Sequence, residues 1–321
     1  MTRPPLLRIS CLFVALAATL VQSDSASAQS RAQRVPPPTD VSLTTKDGVQ
    51  LKITYYPSTE GQDAVPVIML HDFAETRAVF SPLARALQNP RNPDTPGPKI
   101  APRAVITVDL RGHGQSKTAV GRGGGAIELD ATRFEVADYE AMVIQDMEAV
   151  RSFLVEQNDA GNLNLNKLCV VGSGMGANVA LLWTARDWAM PRLAVRKQGQ
   201  DVKALALISP QWNFRGLNVR DAMKFPPVQR EISIFLAYGG ADRKIAKDCE
   251  NIRDIFARFH PEPLPDRVQA EKDFFVYAPD TRLQATKLLN SSEFDLGPKV
   301  ASFIEARAGS RNFPWIQRKR P

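Results

Sequence analysis

Residues 168–182 read LCVVGSGMGANVALL, and this stretch decides the fold. A short run of apolar residues, two of them β-branched, ends at Gly172, and a helical pattern follows Gly176. A continuous apolar run of this length is typical of a strand buried on both faces. We therefore predict a strand over 168–171 that turns tightly into a helix over about 177–185.

The two glycines of this turn have the spacing of the motif G-x-S-x-G, which places a nucleophilic serine at the tip of a strand-to-helix turn. In this chain the tip residue is Gly174, which has no side chain to attack a carbonyl. The sequence therefore predicts that hydrolysis by such a serine has been lost. Ser173 is the alternative nucleophile, but side chains alternate along a strand, so we expect its hydroxyl to point away from a substrate carbonyl.

Outward from this turn, strands and helices alternate along the chain. Residues 41–45 and 49–55 flank an Asp-Gly pair, which is typical of a β-hairpin. Further strands are predicted over 65–70, 104–108, 202–208, 232–237 and 274–277, and further helices over 80–87, 136–157, 248–259 and 293–306. This order indicates a mostly parallel sheet with helices on both faces and an N-terminal hairpin. The segment between the strands at 202–208 and 232–237 is too short for a large lid.

The first 28 residues have the features of a secretory signal peptide. Arg3 and Arg8 precede a short apolar run over 11–21, and Ala-Ser-Ala at 26–28 provides a cleavage site. We therefore expect the mature protein to be exported to the periplasm or the extracellular space.

Three segments follow the signal peptide: a Pro-rich tether over 29–40, the α/β domain over 41–308 and a basic tail over 309–321. The basic residues near the C-terminus are Arg307, Arg311, Arg318, Lys319 and Arg320. In one interpretation the tail contacts an anionic envelope surface. In the other it is a solvated, frayed terminus.

The composition is that of a globular protein, with 44% hydrophobic and 23% charged residues. The formal net charge is +7, but aromatic residues do not alternate with basic ones as stacking on nucleic acid would require. No His, Asp and Glu residues have metal-ligand spacing. We expect no nucleic acid, metal or organic cofactor, and the oligomeric state stays open.

Four segments in order resemble the α/β-hydrolase superfamily, in particular esterases, lipases and serine aminopeptidases. They are VPVIMLHDF (65–73), VITVDLRGHGQS (105–116), the turn at 168–182 and FLAYGGAD (235–242). The resemblance covers about residues 41–306 and implies an α/β-hydrolase fold. The first segment is similar to the strand that ends in His-Gly in this family.

The resemblance also implies the members of a reaction site. The backbone N–H groups of Phe73 and Met175 correspond to the oxyanion donors, with His71 in a structural role. Asp242 stands at the position of the catalytic acid, and its alternative role is to cap the helix that follows. Relatives that read H-G-T-K-L-L carry the catalytic histidine where this chain has Gln284, and glutamine is not a base.

The two remaining histidines do not fit the role of the base. His113 belongs to the R-G-H-G turn, and His260 precedes the last strand, where we expect it at the surface.

Three functions remain open. The first is a secreted protein without hydrolase activity, acting as a binding or scaffold protein that holds a small carbonyl- or carboxylate-bearing ligand at the oxyanion donors. The second is an active esterase- or peptidase-like hydrolase with an unconventional nucleophile. The third is a cell-envelope interaction protein that uses its basic tail.

Overall fold

An eight-stranded sheet lies at the centre of the structure, a computed structural model that describes residues 1–2, 35–91, 99–121, 123–193 and 197–319. In chain order the strands are β1 (Thr39–Thr44), β2 (Gln50–Tyr56), β3 (Pro66–Leu70), β4 (Ala104–Asp109), β5 (Leu168–Ser173), β6 (Val202–Ile208), β7 (Ser233–Ala237) and β8 (Phe274–Tyr277). Their spatial order is β1-β2-β4-β3-β5-β6-β7-β8. Only the β1–β2 and β2–β4 pairs are antiparallel. The predicted mostly parallel sheet with an N-terminal hairpin is confirmed. Apart from Met1 and Thr2, the predicted signal peptide lies outside the described residues.

Helices cover both faces of this sheet. They are α1 (Ser81–Gln88), α2 (Val136–Ala141), α3 (Met147–Asp159), α4 (Met175–Ala189), α5 (Arg220–Lys224), α6 (Pro226–Arg230), α7 (Arg243–Ala257), α8 (Val268–Glu271), α9 (Ala285–Leu289) and α10 (Leu296–Ile304). A π-helical turn, Met142–Asp146, joins α2 to α3. Alternate residues of the buried strands contribute to two apolar cores, one with α3, α4 and α7 and the other with α1 and α10. None of the described helices combines the length and the apolar character that a membrane span requires.

Local differences from the sequence prediction have identifiable causes. Helix α7 begins at Arg243 instead of 248, because the Asp242 side chain caps its first turn. The segment between β6 and β7 contains α5, α6 and a short ribbon that pairs Asn213–Phe214 with Leu217–Asn218. A second short ribbon lies between β4 and α2, where Thr118–Val120 pairs with Ala126–Glu128.

The C-terminal segment is not frayed, so that interpretation of the basic tail is wrong. Phe313, Pro314 and Ile316 accept hydrogen bonds from buried asparagine side chains. The Arg318 side chain is buried against Asp201 and is not available to an external anionic surface. The described part of the tail is therefore packed against the domain.

Candidate functional site

The turn between β5 and α4 is the tight strand-to-helix turn that the sequence predicts, with a glycine at its tip. Gly174 forms its tip, with φ 52° and ψ −118°. A Cβ atom on Gly172 would overlap the backbone of Gly176 and Ala177, and one on Gly176 would overlap the carbonyl of Leu70. The two outer glycines therefore let helix α4 lie directly against strands β3 and β5.

The Asp72 carboxylate lies between the two backbone donors that the sequence analysis assigned to an oxyanion. Its Oδ1 atom accepts hydrogen bonds from the N–H of Phe73 at 2.7 Å and from the N–H of Met175 at 2.8 Å. Those donors do converge on one point, as oxyanion donors must. However, the point is occupied by an oxygen atom of this chain.

The same carboxylate fills the space in front of the turn. A Cβ atom placed on Gly174 would lie closer than 3.0 Å to all three atoms of the Asp72 carboxylate. Asp72 therefore occupies both the oxyanion position and the space of a side chain at the tip. This role of Asp72 was not recognised from the sequence, although the signal was present: Asp72 stands where the resembling strand has the glycine of His-Gly.

The electrostatic setting disfavours the charge on Asp72. Partial burial raises the pKa of the Asp72 carboxyl, and the neighbouring Glu75 adds to the rise, while the two backbone N–H groups oppose it. Glu75 accepts a hydrogen bond from the Asp72 N–H at 3.2 Å and another from the Thr286 hydroxyl. These bonds tie the loop after β3 to helix α9. Ala74 lies in the left-handed region, at φ 61°, so the loop holds a strained conformation.

His71 is a fully buried structural residue. Its Nε2 atom accepts a hydrogen bond from the Leu110 N–H at 3.2 Å, so its proton lies on Nδ1, which donates to the Asp72 carbonyl at 2.7 Å. Burial, and then the proximity of His113, lowers the pKa of His71 to about 4. The ring is therefore neutral near neutral pH and positions the backbone of Asp72.

Gln284, which the resemblance placed at the position of a catalytic base, belongs to a network of neutral hydrogen bonds. Its Oε1 atom accepts from the Ser209 hydroxyl at 2.6 Å and from the Gly239 N–H at 3.1 Å, and its Nε2 atom donates to the Gly239 carbonyl at 2.7 Å. Ser209 also accepts a hydrogen bond from the Ala285 N–H. Ser209 was not recognised from the sequence, because a single serine at the end of a strand has no distinguishing pattern.

Asp242 acts on its own helix. Its Oδ1 atom accepts hydrogen bonds from the N–H groups of Lys244 and Ile245 at 3.1 Å and 3.2 Å, as an N-cap does. Within the described structure it makes no hydrogen bond with Gln284. The candidate acid therefore caps a helix and is not paired with Gln284 in the part of the chain that the structure describes.

The remaining candidates do not assemble a nucleophile and a base. Ser173 is fully buried, and its hydroxyl has no hydrogen-bond partner among the described residues. The expectation that His260 lies at the surface is wrong, because it is 7% exposed and its Nδ1 atom lies 2.8 Å from Asp273 Oδ1. Among the described residues, no group of three or more His, Cys, Asp and Glu side chains is placed to hold a metal.

An aromatic cluster lies beside the filled donors. The Arg215 guanidinium lies 4.2 Å from the centre of the Phe73 ring and donates a hydrogen bond to the Tyr139 hydroxyl at 2.8 Å. Phe214 packs against both Phe73 and Tyr139. The short ribbon between β6 and β7 thus contacts the residue that supplies one of the two donors.

Comparisons with known proteins agree with this architecture. A model of the alpha/beta hydrolase family matches residues 67–311. An esterase from Pyrococcus furiosus is similar in structure, with a TM-score of 0.57 and 17% sequence identity over 85% of this chain and 92% of that chain. The peroxisomal alpha-beta-hydrolase Lpx1 from Saccharomyces cerevisiae has a TM-score of 0.53 and 11% identity, over 85% of this chain and 89% of that chain. A search of curated proteins gives no match.

At these identities the structural similarities show the fold alone. The family model, in contrast, covers well over half of the sequence and includes both β3 and the turn at Gly174. On this evidence the chain belongs to the alpha/beta hydrolase family.

Proposed function

We propose that this protein is an α/β-hydrolase-fold protein without serine-hydrolase activity, and that it acts as a binding or scaffold protein. The observation that carries the proposal is the Asp72 carboxylate, which occupies the oxyanion position beside Gly174. The neutral Gln284 network at the base position supports the same conclusion.

The occupied donors matter for the size of any residual activity. When a triad member is removed from a serine hydrolase, about 10³–10⁴-fold rate enhancement over water remains, supplied by the oxyanion hole and by binding. Here the N–H groups that would supply this remainder already bond to Asp72. Since a carboxylate at that point would also repel a developing oxyanion, we expect the residual rate to be lost as well.

Two measurements on the purified mature protein test this proposal. We expect no turnover of p-nitrophenyl acetate above buffer and no covalent labelling by a fluorophosphonate probe. Labelling of the wild type that disappears in a Ser173→Ala variant would establish the alternative, an active hydrolase with an unconventional nucleophile.

The filled donors also affect the proposed carbonyl- or carboxylate-bearing ligand. Such a ligand must displace Asp72 Oδ1 before it can reach the N–H groups of Phe73 and Met175. We therefore expect acetate to perturb the amide resonances of Phe73 and Met175 in an Asp72→Gly variant and not in the wild type. Equal perturbation in both proteins would show that Asp72 moves aside readily.

We also propose that the protein is exported, on the basis of the signal-peptide pattern in residues 1–28. N-terminal sequencing of protein secreted by the native cell or a bacterial host tests it, with Gln29 as the expected first residue. Retention of Met1 in the cytoplasmic fraction would contradict the proposal.

A further inference from the structure

The C-terminal segment 311–319 lies on the domain in the manner of a bound peptide. It forms neither helix nor strand, and most of its side chains are exposed. Arg318 is its only buried residue. A terminus held mainly by apolar packing would bury its side chains, so the source of its order is elsewhere.

That source is a set of side chains that bind the main chain of the segment. Three asparagine side chains donate to its carbonyl oxygens, namely Asn164 to Phe313 at 2.8 Å, Asn158 to Ile316 at 3.0 Å and Asn166 to Pro314. The Asp159 carboxylate accepts hydrogen bonds from the backbone N–H groups of Arg318 and Lys319, at 2.7 Å and 2.8 Å. Hydrogen bonds to the main chain give affinity for an extended peptide without regard to its sequence.

Two side chains of the segment add selectivity. The Arg318 guanidinium donates to Asp201 Oδ1 and to Asn166 Oδ1, both at 2.7 Å, in a buried position. The Trp315 indole donates to the Asn158 carbonyl at 3.2 Å. A planar guanidinium with a buried acceptor on each side requires an arginine rather than a lysine.

The domain holds its side of the contact in place without the segment. Asn158 Oδ1 accepts a hydrogen bond from the Leu165 N–H, and Asn164 Oδ1 accepts one from the Asn166 N–H. Both bonds are 3.0 Å long. These bonds orient the two amide groups so that their NH₂ donors face outward.

The buried acid of the contact is also supported from the domain side. The Asp201 carboxylate still has two ion-pair partners when Arg318 is removed, because the side-chain nitrogens of Arg151 and Lys197 each lie 3.3 Å from it. The surface is therefore preorganised for its occupant, which reduces the free-energy cost of binding.

We propose that this surface, formed by Asn158, Asp159, Asn164, Asn166 and Asp201 and called here the tail groove, is a peptide-binding site. Its ligand is an extended peptide of the form aromatic-Pro-aromatic-x-x-Arg, with two residues between the second aromatic residue and the arginine. The chain's own segment 313–318, FPWIQR, occupies the groove in cis. A peptide of the same form binds when this segment is displaced.

The test uses the full chain and a fluorescein-labelled peptide of residues 311–319, followed by fluorescence anisotropy. A tethered segment competes at an effective concentration in the mM range, so the wild-type chain binds the peptide weakly. An Arg318→Ala chain has a weakened tail, and we expect it to bind the peptide about tenfold more tightly than wild type. A Gln317→Ala chain is the matched control, because Gln317 lies in the same segment and its side chain is exposed. It should bind the peptide as the wild type does.

Two results would overturn the proposal. One is a folded Arg318→Ala chain that binds the peptide no better than the Gln317→Ala chain does. The other is unchanged affinity for a peptide that itself carries Arg318→Ala, since the guanidinium would then have no role in recognition.

Amide hydrogen exchange of the wild type keeps the proposal testable if Arg318→Ala prevents folding. We expect the N–H groups of Arg318 and Lys319 to exchange through local opening, about 100-fold faster than those of strand β5. Exchange of these amides only with global unfolding would show that the segment is a fixed part of the fold and would refute the proposal.

Discussion

Asp72 determines what a substitution at Gly174 can achieve. A side chain at Gly174 would overlap the Asp72 carboxylate, so a new serine hydroxyl has no space until that carboxylate is removed. We expect the double variant Gly174→Ser/Gln284→His to resist fluorophosphonate labelling. The triple variant that adds Asp72→Gly should be labelled at least about tenfold faster. Equal labelling rates of the two variants would show that Asp72 does not block the site.

His71 makes stability depend on pH in a defined window. Its pKa is lowered from 6.5 in the unfolded chain to about 4 in the folded chain, so its neutral form is favoured by folding. Stability is therefore fully present above pH 6.5 and is lost as the pH falls toward 4, by at most about 3 kcal/mol.

A His71→Gln variant tests this dependence by urea unfolding at several pH values. We expect a lower stability overall but a flatter pH profile over this window. Some slope will remain, because the pKa of His113 is also lowered by burial. A variant profile as steep as that of the wild type would contradict the assignment to His71.

At the scale of elements, the contact between helix α4 and strand β3 depends on the absence of a side chain at Gly176. A Cβ atom there would overlap the carbonyl oxygens of Leu70 and His71. We expect Gly176→Ala to reduce the free energy of unfolding by about 3 kcal/mol or more. Gly125→Ala is the control, since a Cβ atom at that position meets nothing within 4 Å. This control variant should change the free energy of unfolding by less than about 0.5 kcal/mol. Similar urea midpoints for the two variants would disprove the argument.

The elements were predictable from the sequence, and many contacts between them were not. The apolar runs at 65–70 and 168–171 and the Asp-Gly pair at 47–48 indicate strands and a hairpin because their patterns are local. The position of the Asp72 carboxylate depends on a side-chain torsion and on donors about 100 residues apart, which no local pattern encodes. Likewise the partners of Ser209 and Arg318 are brought close only by the complete fold.

At the scale of the whole molecule, Asp201 joins three separate parts of the chain. It is fully buried and pairs with Arg151 of helix α3, with Lys197 and with Arg318 of the C-terminal segment. Its replacement in Asp201→Asn leaves these cations without their common partner. We expect a loss of about 3–5 kcal/mol of unfolding free energy.

The control for this loss is Asp221→Asn. The Asp221 side chain is 96% exposed and pairs with Lys224 only at 4.0 Å, so its variant should lie within about 0.5 kcal/mol of wild type. Urea unfolding of both variants makes the comparison. A loss for Asp201→Asn no larger than that of the control would mean that the three parts are held together without this acid.

The bond between Asp72 and the Met175 N–H limits the order in which residues at this turn can be exchanged. Gly174, the N-cap residue of α4, makes no side-chain capping bond, so Asp72 supplies from the loop after β3 the acceptor that a capping residue normally provides. When ionised, the Asp72 carboxylate also complements the positive end of the helix dipole. Neither substitution is therefore tolerated alone. Removing Asp72 first uncaps the helix, and placing a serine at Gly174 first creates an overlap, so a serine at this tip requires both substitutions together.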